Sequence, residues 1–552
     1  MRAIPNRNFT SAPFLVGALL LLCALTFYYF AVLKIDYRET ALLDLRPYPD
    51  AVEYFAQAKA MLKDRWPFIQ IGYDKLPSRY PFGYPALMLP WLKILPETDS
   101  VLAPFRTSQT VGLLLLLGVF GFYLYLAKPL TGGCAALLLA TLPGFFTFCR
   151  SSLSEISASL FYVLAFMFAY LGLKEERRWK IYLSAIFLGL SVNIRIQSLF
   201  FAPLLLMVAL FPARGMRVRW LLHCMAVPAV FALAATPLLV LNMIEFHSPF
   251  KTGYDFWASY SSQSYLLFSL GYIPANAAAL WREFTLGRFG YHVANLFGTG
   301  TCFVPAFVLL TCAGSFFIRV HRFTICALLA NLSFLAVILS HHYLLVDARF
   351  YLPLLMLLVA VAVLPVTWAA KNLFAGKRII AALGVFVLFV ATCLGYPSRS
   401  GYNTPGIDRS QAWDALHFAS QPRDSPHFVA QRHFARLLDG QPGIVLSDID
   451  SVYLNALLPR SFVAAPIDGN HHYKWSYTWR YDRSQALVLV EHGLEQSLPV
   501  YALFLSHDEM TTKQSRLPAV PGYEWHLLDN SRGKAAILKL APVGSDEPWP
   551  PH

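Results

Sequence analysis

Residues 46–90 read RPYPDAVEYFAQAKAMLKDRWPFIQIGYDKLPSRYPFGYPALMLP. This segment follows the first long apolar run of the chain, and it ends in a turn rich in Pro, Tyr and Gly. It also carries the ionisable side chains Asp50, Glu53, Asp74, Lys75 and Arg79. Ionisable groups held close to a hydrocarbon layer are costly, so they deserve a functional explanation. We expect residues 46–90 to contain catalytic residues and the surrounding helices to position this segment.

Composition places the chain in the membrane. Of its 552 residues, 56% are hydrophobic and 14% are charged, with a mean hydropathy of +0.48. A soluble protein of this size does not need so apolar a composition. The whole chain has a net charge of +13, and its basic excess lies before residue 397, because residues 397–552 contain 14 Lys and Arg against 16 Asp and Glu. Short basic cytoplasmic loops explain such a charge better than nucleic-acid binding does, and no nucleic-acid partner is predicted.

Apolar runs of about 20 residues predict the transmembrane helices. We predict about eleven, near 13–33, 108–127, 131–148, 153–173, 180–194, 197–212, 219–242, 301–318, 323–340, 350–370 and 378–396. The first run is long and lacks a small-x-small cleavage site. It is therefore interpreted as an uncleaved anchor rather than a signal peptide.

Charges in the connecting loops predict the orientation. The loops at Lys128, 174–180, 213–219, 319–322 and 371–378 are short and basic. The positive-inside rule places them in the cytoplasm together with the N-terminus. The outer, extracytoplasmic side then receives 34–107, the turn at 150–155, the turn at Arg195, 243–300, 341–349 and 397–552. We predict a multi-pass protein of the bacterial inner (plasma) membrane, with residues 1–396 as the membrane domain.

Two kinds of structure are predicted on the outer side. Residues 50–63 have helical spacing of apolar and polar side chains, which is typical of an amphipathic helix at the membrane surface; a second such helix is expected around Trp281–Glu283. Residues 397–552 predict a small soluble α/β domain. Its helices are expected near 409–420 and 428–438, and its strands at 443–448, 461–466, 486–493, 501–507, 522–528 and 535–540. His471 and His472 have the pattern of a surface turn or, less simply, of a substrate contact.

Two carboxylates are the candidate catalytic residues, Asp50 and Glu155. Asp50 begins the predicted outer helix, where a carboxylate either caps the helix or acts as a general base toward a hydroxyl. Glu155 begins a span, where it either balances the helix dipole or joins Asp50 on the outer side. Glu53 and Tyr54 are predicted to contact substrate, with a solvated face and an interfacial anchor as the alternatives.

Candidate phosphate-binding cations lie in the same outer segments. Arg195 and Arg349 border apolar runs, where arginine either snorkels to lipid headgroups or pairs with phosphate oxygens. Lys75, Arg79 and Tyr80 are further candidates for the substrate pocket. The eight cysteines lack CxxC spacing, and we predict neither a metal site nor a disulfide framework from them. Asp50, Glu53 and Glu155 leave a divalent cation open, although no ligand spacing demands one.

Four patches give the chain a resemblance to a known family. These are PDAVEYFAQAKAML (49–62), SRYPFGYPALMLP (78–90), LSE (153–155) and DARFYLPLL (347–355). Together they resemble the GT-C-fold glycosyltransferases, the group that includes protein O-mannosyltransferases and lipid A aminoarabinose transferases. The chain departs from the family pattern at three places: the acid after Asp50 is displaced to Glu53, Glu155 stands where Asp is frequent, and Phe82 replaces a proline of the turn.

The resemblance implies a GT-C fold and an inverting transfer of a hexosyl or pentosyl group from a polyprenyl-phosphate donor. The acceptor is a hydroxyl of a lipid, glycan or protein at the outer face, and Asp50 is the implied general base. No cofactor is required for this chemistry. A transporter or flippase of polyprenyl-linked glycans is the alternative from another class, and a glycan polymerase or ligase is the alternative acceptor chemistry.

Overall fold

The fold is described from a computed structural model of the chain. It describes residues 12–34, 37, 41–45, 50–210, 217–257, 268–278, 310–318, 320–341, 351–372, 425–438, 441–467, 483–530 and 535–545. The predicted helix at Trp281–Glu283, the span at 378–396, the helix at 409–420, and Arg349, His471 and His472 lie outside these ranges.

Apolar helices dominate the membrane part. Within the described ranges, five helices are long and apolar enough to cross a membrane: Ala12–Leu33, Glu97–Tyr125, Glu155–Glu175, Trp220–Phe246 and Arg322–Leu339. Shorter apolar helices lie at Pro129–Thr141, Ile196–Leu206 and Leu352–Pro365. The chain is therefore a helical, multi-pass membrane protein.

Two predicted spans are interrupted in the structure. The run at 131–148 forms helices Pro129–Thr141 and Pro143–Cys149, and Leu142 between them is extended. The run at 197–212 begins as a 3-10 helix, Ile196–Phe201, and continues as Pro203–Leu210. A residue before proline disfavours the α conformation, which explains the break at Leu142. The neighbouring run at 180–194 is helix Arg178–Ile194, as predicted.

The structure divides into two compact units. The first comprises residues 1–35, 107–240 and 264–420. Its first helix, Ala12–Tyr28, packs against helix Pro129–Thr141 with small residues at the contact. A Cβ added at Gly17 would lie 2.3 Å from the Pro129 carbonyl oxygen, and one at Gly133 would lie 2.4 Å from that of Gly17. Glycine is what lets these backbones approach so closely.

The second compact unit comprises residues 36–106, 241–263 and 421–552. It contains the loop helix (Asp50–Asp64), the hairpin β1 (Ile69–Ile71) and β2 (Asp74–Leu76), and helix Gly83–Ile94. A short helix, Gly253–Trp257, comes from the second long loop. The first predicted outer segment therefore belongs to the same unit as the C-terminal sheet.

The predicted C-terminal α/β fold is present as a mixed sheet. Its described strands are β3 (Gly443–Ser447), β4 (Phe462–Pro466), β5 (Val500–Phe504), β6 (Tyr523–Asn530) and β7 (Ala536–Pro542), in the order β4-β3-β5-β7-β6. Strands β4, β3 and β5 are parallel, and β7 and β6 continue the sheet antiparallel. Helices Pro426–Leu437, Ser451–Leu457, Arg483–Glu495 and His507–Lys513 accompany it.

One predicted strand, 486–493, is wrong, because these residues belong to helix Arg483–Glu495. The buried residues are Ala486, Leu489 and Val490, whereas Val488 is 63% exposed. That is helical spacing, in which positions i, i+3 and i+4 share one face. A short apolar run does not by itself distinguish a strand from a helix.

The loop helix is confirmed as a helix, but its polar face is not solvated. Residues 51–60 are all buried, including the charged or polar side chains Glu53, Gln57 and Lys59. Helix Gly83–Ile94, strand β1 and helix Ser451–Leu457 pack against it. Lys59 is only 3% exposed and pairs with Glu97. Protein, and not water or headgroups, therefore covers Glu53, Gln57 and Lys59.

Candidate active site

Asp50 is the first residue of the loop helix, and its carboxylate is held by Tyr80. The Tyr80 hydroxyl donates a hydrogen bond to Asp50 Oδ1 at 2.5 Å. Burial, and then the neighbouring Asp50 charge, raise the pKa of Tyr80 well above its ordinary value. The phenol therefore stays protonated and acts as the donor. Asp50 as a residue is partly exposed.

Aromatic rings lie beside the hydrogen-bonded pair of Asp50 and Tyr80. The Tyr54 ring centroid lies 4.9 Å from that of Tyr80 and 5.1 Å from that of Tyr84. Tyr254, from the second long loop, meets Tyr80 edge to face at 5.6 Å and remains 43% exposed. The structure thus brings Asp50, Tyr54 and Tyr80 together. Tyr254 was missed, because the aromatic content of 243–300 is equally typical of an interfacial belt.

Glu53 lies one helical turn after Asp50 but in a different environment. It is fully buried, and its Oε2 accepts hydrogen bonds from Ser78 Oγ at 2.7 Å and from the Arg79 backbone nitrogen at 2.9 Å. Its Oε1 lies 3.4 Å from Arg79 Nε. Burial raises the pKa of Glu53, and the Arg79 charge opposes that shift. The structure therefore brings Glu53 and Arg79 together, with both carboxylate oxygens facing protein groups.

The short helix Gly253–Trp257 supports the turn that carries Arg79 and Tyr80. Trp257 Nε1 donates to the Pro77 carbonyl oxygen at 2.6 Å, and the Arg79 guanidinium lies 5.6 Å from the Trp257 ring. A Cβ added at Gly253 would lie 1.8 Å from the Ser78 carbonyl oxygen. Only glycine permits this backbone approach. No pattern in the residues of these two loops indicates that they contact each other.

Lys75 belongs to different surroundings. It lies on β2, where its ammonium is 3.9 Å from Asp64 and 4.6 Å from the centre of the Phe68 ring. Its side chain is 57% exposed. The contacts of Lys75 are thus with the far end of the loop helix, and its assignment to the substrate pocket stays a prediction.

Glu155 and Arg195 form an ion pair in the first compact unit. Glu155 begins helix Glu155–Glu175 and is 3% exposed. Arg195 lies at the break between helix Arg178–Ile194 and the following 3-10 helix, and its guanidinium pairs with Glu155 and lies 3.3 Å from Ser154 Oγ. A buried charge of this kind requires a partner, and each supplies one to the other.

A cavity of about 20 Å³ adjoins this ion pair, room for about one water molecule. Polar side chains of Glu155, Tyr162, Arg195, Gln197 and Ser198 line one part of it, and the apolar residues Phe201, Phe334, Ile338 and Pro353 line the other. Arg349 lies outside the described residues, so its predicted phosphate contact stays a prediction.

No group of three or more His, Cys, Asp or Glu side chains arranged to hold a metal ion occurs within the described ranges. The oxygens of Glu53 face Ser78 and Arg79.

Comparison with known proteins gives structural neighbours. No protein-family model matches the sequence, and no curated protein matches it. The chain is similar to the crystal structure of ArnT from Cupriavidus metallidurans bound to undecaprenyl phosphate, with a TM-score of 0.55, 11% identity and coverage of 96% of this chain and 98% of that one. The apo state of that protein gives a TM-score of 0.57 and 14% identity, with the same coverage.

A second neighbour is the oligosaccharyltransferase of Archaeoglobus fulgidus, tethered by a disulfide bond to an acceptor peptide containing the NVT sequon. It gives a TM-score of 0.50 and 12% identity, covering 96% of this chain and 74% of that one. At such low identities the likeness is one of fold, and it extends over nearly the whole chain. The chain is a multi-pass membrane protein with the GT-C fold.

Proposed function

We propose that the protein is a membrane glycosyltransferase that moves a sugar from a polyprenyl-phosphate donor to an acceptor hydroxyl at the outer face of a bacterial inner membrane. The neighbours support the donor class, since ArnT was crystallised with undecaprenyl phosphate. They also support transfer to an acceptor, since the oligosaccharyltransferase carries an acceptor peptide. The sugar is a hexose or a pentose, and the acceptor hydroxyl belongs to a lipid, a glycan or a protein.

The observation that carries the proposal is the state of Asp50. The residue is partly exposed and stands at the beginning of a helix, and its Oδ1 accepts a hydrogen bond from the Tyr80 hydroxyl at 2.5 Å. A general base needs a fixed, accessible carboxylate within hydrogen-bond reach of the proton it removes. The adjacent rings of Tyr80, which is partly exposed, and Tyr254, which is 43% exposed, offer apolar surface to the C–H face of a sugar, and the buried ring of Tyr54 packs behind Tyr80.

The proposed reaction follows from these roles. Asp50 accepts the proton of the acceptor hydroxyl as its oxygen attacks the anomeric carbon. The bond between that carbon and the phosphate oxygen breaks, and the electron pair leaves with the polyprenyl phosphate. Attack opposite the leaving group inverts the anomeric configuration. Arg195 and Arg349 are proposed to stabilise the phosphate charge, since arginine matches phosphate oxygens with two parallel hydrogen bonds.

Asp50→Asn tests the assignment of the base. Asparagine keeps the size of the side chain and an oxygen that accepts from Tyr80, so the variant should fold. It cannot take up a proton, and removal of a general base lowers the rate by roughly 10²- to 10⁴-fold. The measurement is release of polyprenyl phosphate and appearance of glycosylated acceptor, with purified protein in detergent and a panel of polyprenyl-phosphate sugars.

Two results bear on two different claims. Full activity of Asp50→Asn would remove Asp50 as the base. Failure of the wild-type protein to release polyprenyl phosphate from any donor and acceptor pair, while it moves the intact donor across vesicle membranes, would replace the transferase with a flippase. Retention of anomeric configuration in the product would exclude the single-displacement mechanism.

A further inference from the structure

Ser78 lies at the centre of a hydrogen-bonded network close to Asp50, the candidate base. Its hydroxyl donates to Glu53 Oε2 at 2.7 Å and accepts from Gln57 Nε2 at 2.8 Å and from the Tyr80 backbone nitrogen at 3.1 Å. A serine hydroxyl has one donor and two acceptor positions, so all three are used. The network ties the loop helix to the turn Pro77–Tyr80.

The same network leads to Asp50. Glu53 Oε2 also accepts from the Arg79 backbone nitrogen at 2.9 Å, so one carboxylate oxygen holds two successive residues of the turn. The next residue, Tyr80, is the one whose hydroxyl holds Asp50 Oδ1. Asp50 and Glu53 are fixed relative to each other by one turn of helix. The loop helix and the turn are therefore joined at two places, at Glu53 through Ser78 and Arg79, and at Asp50 through Tyr80.

Contact between Glu53 and a substrate is not supported by this geometry. Glu53 is 0% exposed, and both oxygens face Ser78 and Arg79. A buried carboxylate is costly unless protein groups pair with it. Here the turn supplies two hydrogen bonds to Oε2 and the Arg79 guanidinium beside Oε1, so the carboxylate and the turn stabilise each other.

We infer that Glu53 is a positioning residue, which fixes the Pro77–Tyr80 turn from within the protein and thereby holds the Tyr80 hydroxyl against Asp50. This inference rests on the proposed function, because it gives Glu53 its effect on the rate through Asp50. The Glu53 side chain is long enough to bring its acceptor oxygen Oε2 within hydrogen-bond distance of Ser78 and Arg79. The two hydrogen bonds that hold the turn come from neutral donors, a hydroxyl and a backbone amide, whereas the charge of Glu53 faces the Arg79 guanidinium, whose Nε lies 3.4 Å from Oε1.

Reach and charge can be separated with two variants. Glu53→Asp keeps the charge, but removing one methylene withdraws the oxygens by about 1.5 Å. Contacts of 2.7 and 2.9 Å would then exceed the limit for a hydrogen bond. Glu53→Gln keeps the length and an acceptor oxygen but has no charge. Positioning predicts that Glu53→Asp lowers kcat at least tenfold with KM unchanged, and that Glu53→Gln stays within about fivefold of wild type.

Amide hydrogen exchange gives a readout that does not depend on catalysis. The Arg79 and Tyr80 amides donate to Glu53 and to Ser78, so exchange in the segment 78–80 should be faster in Glu53→Asp and near wild type in Glu53→Gln. Asp64→Asn is the matched control, at the other end of the same helix, where Asp64 lies 3.9 Å from Lys75 and Arg460. It should change neither the exchange nor kcat.

The reverse order of the two variants would overturn the inference. If Glu53→Gln loses as much activity as Glu53→Asp or more, the charge matters and not the reach. If exchange in 78–80 is unchanged in Glu53→Asp, Glu53 does not hold the turn. A wild-type protein without transferase activity would sink the proposed function separately, and the exchange data would still decide whether Glu53 holds the turn.

Discussion

Removal of the Tyr80 hydroxyl isolates the contact on which the candidate site depends. Tyr80→Phe keeps the ring, and with it the packing at 4.9 Å from Tyr54 and 5.6 Å from Tyr254. It deletes only the hydrogen bond to Asp50 Oδ1, which is 2.5 Å long. A hydrogen bond to a charged group contributes about 1.5–3 kcal/mol. If that contact orients Asp50 in the transition state, kcat/KM should fall roughly 10- to 100-fold, since 1.4 kcal/mol is a factor of ten.

The assay for Tyr80→Phe is the release of polyprenyl phosphate under single-turnover and steady-state conditions, which separates donor binding from the chemical step. Tyr84→Phe is the matched control. Tyr84 is fully buried and packs on Tyr54, but its hydroxyl donates to the Pro104 carbonyl oxygen at 2.9 Å. Its loss should cost about 1 kcal/mol of stability and little activity. Equal kcat/KM values for wild type, Tyr80→Phe and Tyr84→Phe would refute a role of Tyr80 in orienting Asp50.

Two further variants test the electrostatics of the buried carboxylates. Burial raises the pKa of Glu53 above its ordinary 4.5, so its contribution to folding is present at low pH and is lost as pH rises through the raised value. The melting temperature of Glu53→Gln relative to wild type should therefore rise between pH 5 and pH 8, and a constant difference would contradict the shift. Arg195→Gln leaves the Glu155 carboxylate buried without its ion-pair partner and should destabilise the protein by about 3–5 kcal/mol, part of which Glu155→Gln in the same chain should restore. Thermal unfolding in detergent measures both, and a double variant no more stable than Arg195→Gln would count against the pair.

Segment-level features were predictable because they follow from local periodicity. Long apolar runs located the membrane helices, and short apolar runs located strands β3 and β4. The short-run criterion failed at 486–493, where the buried positions Ala486, Leu489 and Val490 follow the helical period within an almost continuous apolar run. It also overlooked the break at Leu142, because hydropathy does not respond to a single proline.

Contacts between distant segments were not predictable. The polar face of the loop helix is visible in the sequence at Glu53, Gln57 and Lys59, but periodicity does not say whether water or protein covers it. Tyr254 and Trp257 reach the site from the second long loop, and their aromatic character alone is also typical of a membrane interface. Asp50 and Tyr80 were found because the residues around them resemble a known family, and not because their spacing required contact.

The position of Glu53 on the helix explains why the second acid of this chain stands three residues after Asp50 and not directly after it. A carboxylate directly after Asp50 would point about 100° away around the helix axis, whereas one three residues later lies on nearly the same face. Ala51 leaves the first position empty, and Glu53 uses the second to reach the turn at Ser78 and Arg79. Two acids on one face would repel each other if both were exposed and ionised. Here Glu53 is buried, and the Arg79 guanidinium 3.4 Å from its Oε1 offsets its charge beside Asp50. One helical turn can thereby carry the candidate base and the residue that aligns it.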